Sequence, residues 1–374
     1  MAAPDARDQG SHALMPWTLR VPLLADESLS SWLTRAALRQ GCDPLALTGA
    51  IWPGWRVWTR DVDRDIPPTR LRPLVKESGI PAPEFQQAAL RGDCERINGH
   101  PLPEHGTWPW LLALGARNRA RHGGQQCCPL CLDQDAAPYF RRAWRLSWHV
   151  GCPLHGVLLT DACPACQAPI EPHRLVAEDQ HLSQCSRCRF DWRNIACTPL
   201  ASDTLRFQQH ADEVLQANPI FLGDKGVSTT EWFAASSFLL GVVRRASRYP
   251  ASALAHTLRS LGIPVTDSLL PVTGLPFELL PVSERSALLT AVQRVLDIGL
   301  DEVFEAFRRN EVMATALHDP RIPPPGVIRS MMTNGSTHQK NPRSSLPLGH
   351  QPKSERAVRA AWARLKRRMK TETS

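Results

Sequence analysis

The sequence predicts a mainly α-helical protein interrupted by a small, ligand-rich insert. Two observations carry that prediction. Apolar residues recur at helical spacing near the N-terminus and again through residues 200–311. Between them, residues 127–192 hold four pairs of ligand-type side chains: Cys128/Cys131, Cys152/His155, Cys163/Cys166 and Cys185/Cys188. Two residues separate the members of each pair, so one tight turn can present both side chains to a single ion. Tetrahedral zinc needs two such turns, and four pairs make two sites. The predicted fold class is therefore mainly α with a small zinc-ribbon or zinc-knuckle insert. An N-terminal helical domain leads to a tandem zinc-binding module, and a C-terminal all-helical, helix-turn-helix-like domain follows.

The N-terminal part opens with LRVPLLADESLSSWLTRAALRQG, residues 19–41. Asp26 or Ser28 can start a helix, Leu29, Trp32, Leu33 and Ala36 make its apolar stripe, and Gly41 suits its end. Residues 42–107 alternate short apolar pieces with proline and glycine. Trp52, Trp55 and Trp58 fall in one run there. They can stack on nucleic-acid bases, but a small core under a loop is the favoured reading. Residues 108–121, WPWLLALGARNRAR, read as a helix ending in a basic turn.

The insert has gaps of 20 residues between Cys131 and Cys152, and 18 between Cys166 and Cys185. Sequential pairing is preferred: 128/131 with 152/155, then 163/166 with 185/188. A cross-braced arrangement would use the same eight residues. Cys127 can replace Cys128 only by giving up the spacing. His149, His173, His181 and Cys197 are weaker substitutes. Both sites have four protein ligands, whereas a catalytic zinc keeps a position open for water. HExxH is absent, and so is the His-x-Glu of zinc deaminases. Two structural Zn2+ ions are therefore expected, with no enzyme activity. A disulfide framework would need an oxidising compartment. Between the first two pairs, Arg141, Arg142 and Arg145 can meet phosphate or pair with acids such as Asp133, Asp135 or Asp161. The sequence does not choose between these.

Beyond residue 200 cysteine disappears. Candidate helices are 203–217, 229–247, 251–261, 283–298 and 300–310, with a capping box from Ser228 and Glu231. The last two meet at Gly299 and can form a helix-turn-helix or an ordinary hairpin. Residues 318–352 read as a Pro/Gly/Ser-rich linker without periodicity.

The 374 residues carry a formal net charge of +8. Residues 353–374 hold eight Lys/Arg against two Glu. Three readings apply to this helix-prone tail. It is a solvated end, a docking element using Trp362 and Leu365, or a DNA-backbone arm built from Arg356, Arg359, Arg364, Lys366, Arg367, Arg368 and Lys370. No apolar run is long enough to span a membrane, and the first 16 residues lack a signal-peptide core. With zinc-type cysteines, this predicts a cytoplasmic location. The expected organisation is a disordered 1–18, a helical domain 19–122, a zinc module 123–197, a helical domain 198–317, a linker 318–352 and a basic tail 353–374.

Three stretches carry a family resemblance. ADESLSSWLTRAA resembles the opening motif of the TniQ/TnsD transposition proteins. CPLCLDQDAAPYFRRAWRLSWHVGCPLHGVLLTDACPAC is similar to that family's central zinc signature, and CSRCRFDW to its last pair. The likeness covers roughly residues 19–193. It implies a non-catalytic subunit that selects target DNA and links it to an AAA+ ATPase and, indirectly, to the transposase. It also implies a homodimer and a helix-turn-helix. The chain has no GxxxxGK[ST] loop for nucleotide. A zinc-containing helix-turn-helix transcriptional regulator is the competing expectation.

Overall fold

A computed structural model describes residues 17–114, 124–179, 181–216, 219–265, 275–318 and 323–333. The chain divides into a unit of residues Met1–Thr333 and a second of Asn334–Ser374. The second unit lies outside the described residues, and with it the seven tail cations from Arg356 to Lys370.

The described part is mainly helical. The N-terminal helices are α1 (Leu29–Arg39), α2 (Pro44–Ile51), α3 (Pro68–Ser78), α4 (Ala82–Ala88) and α5 (Arg91–Asn98). Ser28 caps α1 by accepting from the Ser31 N–H, which satisfies one of the orphan donors of a helix start. Pro44 and Pro68 occupy first-turn positions, where a missing N–H costs nothing. Several of the prolines that seemed to break this stretch begin its helices, while Pro73 lies inside α3. Residues from Val21 to Ala89 share an apolar core around Trp32. Trp17 stacks on Trp32 at 5.6 Å and Phe85 meets it edge-on at 5.0 Å. Trp52 is buried in this core, and Trp55 and Trp58 pack against it, as the core reading expected.

The insert contributes α6 (Pro129–Gln134) and the antiparallel pair β1 (Gly151–Cys152) and β2 (Val157–Leu158). Then follow α7 (Ser202–Gln216), the hairpin β3 (Ile220–Leu222) and β4 (Lys225–Val227), α8 (Thr229–Arg248) and α9 (Ala253–Ser260). The chain continues with α10 (Val282–Ile298), α11 (Leu300–Arg309), α12 (Ala314–Leu317) and α13 (Gly326–Thr333). The capping box forms at the start of α8. Gly299 separates α10 from α11 with φ 94°. The second apolar core runs from Leu90 to Met331, so the insert and the C-terminal helices share one interior. Arg285 of α10 joins them. It is fully buried and donates to the carbonyls of Leu280 and Ser147 and to Gln126 Oε1.

Two expectations change. Residues 108–114 are not helical. Leu111 bridges to Leu146, and Trp110 sits at φ 66° with its N–H donating to Glu278 Oε1 at 2.8 Å. Trp110, Leu111, Leu112 and Ala113 are buried in succession, and a consecutive buried run extends as readily as it coils. The remainder of that candidate, 115–121, lies outside the described residues. Residues 326–333, within the stretch read as a linker, form α13, whose Val327, Ile328 and Met331 enter the core.

Candidate metal centres

The eight candidate ligands form two groups of four. Cys128, Cys131, Cys152 and His155 make one, and Cys163, Cys166, Cys185 and Cys188 the other. The grouping is the sequential one.

The local backbone explains how each pair is presented. Cys128 is the N-cap of α6, and Cys131 lies one turn into it. The other three pairs share a single turn geometry. The residue after the second ligand is left-handed: Gly156 at φ 63°, Gln167 at 57° and Arg189 at 63°. Its N–H donates to the carbonyl of the first ligand, Cys152, Cys163 or Cys185, at 2.8–2.9 Å. That bond closes a loop around the two intervening residues and points both side chains the same way.

In the first group, His155 Nδ1 lies 3.5 Å from Cys128 Sγ and 3.4 Å from the Sγ atoms of Cys131 and Cys152. Cys131 and Cys152 Sγ are 3.5 Å apart. In the second group, Cys163–Cys188 and Cys166–Cys185 Sγ distances are 3.6 and 3.7 Å. A zinc tetrahedron with about 2.3 Å sulfur bonds and about 2.0 Å nitrogen bonds has edges of roughly 3.5–3.8 Å. Both groups fit that size. They do not fit disulfides, whose sulfurs approach to about 2.0 Å.

Packed this closely, the thiols compete for protons. Hydrogen bonds with Cys128 and Cys131 pull the Cys152 thiol far down, while those with Cys128 and Cys152 push Cys131 far up. In the second group the Phe190 N–H pulls Cys188 down to about 7, while burial pushes Cys163 up to about 12. A divalent cation at the centre would let all four groups of each set bind in their deprotonated forms.

None of the weaker substitutes joins either group. Cys127 is buried beside Cys128 and pairs through its backbone with Thr160, and burial pushes its thiol up. His149 bonds to Asp212 at 2.8 Å, His173 stacks on Trp58, and His181 bonds to Ser183. Cys197 bonds to the Ile195 carbonyl. The three arginines of the insert resolve as ion pairs. Arg141 meets Asp135 at 2.5 Å, Arg142 meets Asp93, and Arg145 meets Asp61 at 2.6 Å. Of the acids expected nearby, Asp135 alone is a partner in these pairs. The sequence reading missed Gln134, whose Oε1 lies 2.9 Å from His155 Nε2. Its signal is spacing: Cys128, Cys131 and Gln134 follow one another at three-residue steps along one helical face.

Residues 18–159 match the TniQ family model. The chain carries a TniQ-family domain. The matched span takes in α1 and the complete first ligand group, and ends before Cys163. The TniQ domain fits a transposition-associated protein. No curated protein matches the chain. Among the described residues, no helix is long and apolar enough to cross a membrane.

Proposed function

We propose that the chain is a non-catalytic transposition accessory protein. It selects or recognises target DNA and links it to an AAA+ ATPase and, through that ATPase, to the transposase. The TniQ-family domain over residues 18–159 carries this reading. Two structural zinc ions bind at Cys128, Cys131, Cys152 and His155, and at Cys163, Cys166, Cys185 and Cys188. The tetrahedral edge lengths support this. When bound, each ion supplies cross-linking of distant turns rather than an activated water, because four protein ligands close the coordination shell.

In this reading the zinc module of 123–197 stands between the helical domains of 19–122 and 198–317. The protein acts in the cytoplasm as a homodimer, and the tail cations contact the DNA backbone without reading sequence. The regulator reading is disfavoured by α11. Its exposed residues are Asp301, Glu302, Glu305, Arg308 and Arg309, and an excess of acid opposes entry into a DNA groove.

A transposition assay with the gene deleted tests the proposal. Insertion at the specific target should be lost, and re-supplying the gene should restore it. Unchanged frequency with unchanged target choice would remove the reading.

A further inference from the structure

We propose that Gln134 is a positioning residue that selects Nδ1 of His155 as the metal-facing nitrogen. The inference rests on the zinc reading of the first ligand group. His155 presents Nδ1 to three sulfurs at 3.4–3.5 Å. Its other nitrogen, Nε2, lies 2.9 Å from Gln134 Oε1. A ligating nitrogen carries no proton, so in the neutral ring the single proton sits on Nε2. That proton needs an acceptor. The carbonyl end of the Gln134 amide is one, whereas the amide NH2 end would oppose it. The bond therefore fixes both the tautomer and the ring orientation, and it makes Nδ1 a stronger donor.

The arrangement is built into one helix. α6 delivers the Cys128 and Cys131 thiols at its start and Gln134 at its last residue, all at three-residue steps. The histidine arrives from the β1–β2 turn with its ring wedged between the thiols and the amide. The second group consists of cysteines alone and has no tautomer to set. It serves as a control within the same molecule.

His155 is half-buried and Gln134 is exposed, so water can partly replace a lost amide. The expected loss is about tenfold, at the low end of the 10–100-fold range for such outer partners. The experiment uses the full chain, zinc competition against a chromophoric chelator, and nitrogen NMR of labelled histidine. In the parent, His155 should be protonated at Nε2 with Nδ1 shifted by the metal. Gln134→Leu should weaken one zinc about tenfold and leave the other unchanged. Gln134→Glu, which keeps an acceptor, should retain both the affinity and the tautomer. Two zincs held at parental strength in Gln134→Leu, or a parent ring protonated at Nδ1, would overturn the inference and leave the zinc reading standing. A parent that takes up no zinc at this group would overturn both.

Discussion

Replacing Arg145 with leucine should destabilise the protein in a way that depends on pH. Arg145 is fully buried. Its Nη2 lies 2.6 Å from Asp61 Oδ2 and 3.0 Å from the Leu112 carbonyl, and its Nε lies 3.5 Å from Asp63 Oδ2. Asp63 is also buried and accepts from Ser30 N, Ser30 Oγ and Gln125 Nε2 at 2.6–3.0 Å. Arg64, 3.2 Å from Asp61, is the other cation close by. Removing Arg145 takes an ion pair from both buried carboxylates and leaves Arg64 to Asp61, a change that costs about 3–5 kcal/mol in comparable sites. Burial already raises the Asp63 pKa, and Arg145 is a force that lowers it. Without Arg145 it rises further. A carboxyl whose folded pKa lies above its unfolded value favours folding at low pH, and that contribution is lost as pH climbs through the folded pKa. The deficit of Arg145→Leu relative to the parent should therefore be largest near neutrality and should shrink as pH falls toward about 4. Asp63→Asn in the same background should recover about 1–3 kcal/mol, the usual size of coupling between groups in contact. Urea midpoints followed by tryptophan fluorescence at several pH values measure both effects. A deficit that does not vary with pH, together with no recovery from Asp63→Asn, would refute the reasoning.

The purified protein should hold two zinc ions by elemental analysis, and Cys163→Ser should lower the count to one and open residues 163–188 to protease. Gly156→Val should cost about 1–2 kcal/mol, because φ 63° places its new Cβ against the following carbonyl. Gln167→Gly, at φ 57°, should gain up to about 1 kcal/mol for the converse reason. Thermal melts of the zinc-loaded protein read both changes. Deleting residues 353–374 should weaken binding to all duplexes alike and flatten the log–log salt slope by roughly three to four units, if about four cations each contribute about 0.9.

What the sequence revealed and what it hid follow from range. The ligand pairs, the Ser28 cap and the Ser228–Glu231 box are local, each decided within a few residues. The C-terminal helices were also legible, because their apolar stripes repeat every turn and their ends carry capping or glycine residues. Arg142 and Arg145 were ambiguous for the opposite reason, whereas the partner of Arg141, Asp135, lies only six residues away. Asp93 and Asp61 lie 49 and 84 residues from the arginines they bind, and no spacing rule spans that distance. The 108–114 segment failed because buried residues run consecutively from Trp110 to Ala113, which erases the periodicity that separates helix from extended chain. In α13 the signal was present: Val327, Ile328 and Met331 share one helical face. Three prolines directly before it, Pro323–Pro325, made the surrounding composition look like a linker.

The two ligand groups differ in how deeply they enter the fold, and this difference bears on what each ion would hold together. Cys128, Cys131 and Cys152 are buried within the core that also contains α7, α8 and α10. The β1–β2 turn carrying Cys152 and His155 is tied to α7, where Gln208 accepts from the N–H groups of Val150 and Gly151 and donates to the Gly151 carbonyl. Gly151 itself packs so tightly that an added Cβ would lie 2.0 Å from Leu200 Cδ2. A distortion at this group is therefore transmitted to the helices. The second group is more peripheral, with Cys166 half-buried and Cys188 exposed. Cys163 and Cys185 also lie in the same core, but the hydrogen bonds of their turns are short-range: Cys163 to Ala168, Cys185 to Phe190, and Arg189 to Asp179. Binding at either centre would supply folding energy. At the first it would secure the contact between insert and helices, and at the second it would secure mainly the loops of the insert. The TniQ match includes the first group and stops before the second, which places the deeper tie inside the matched span.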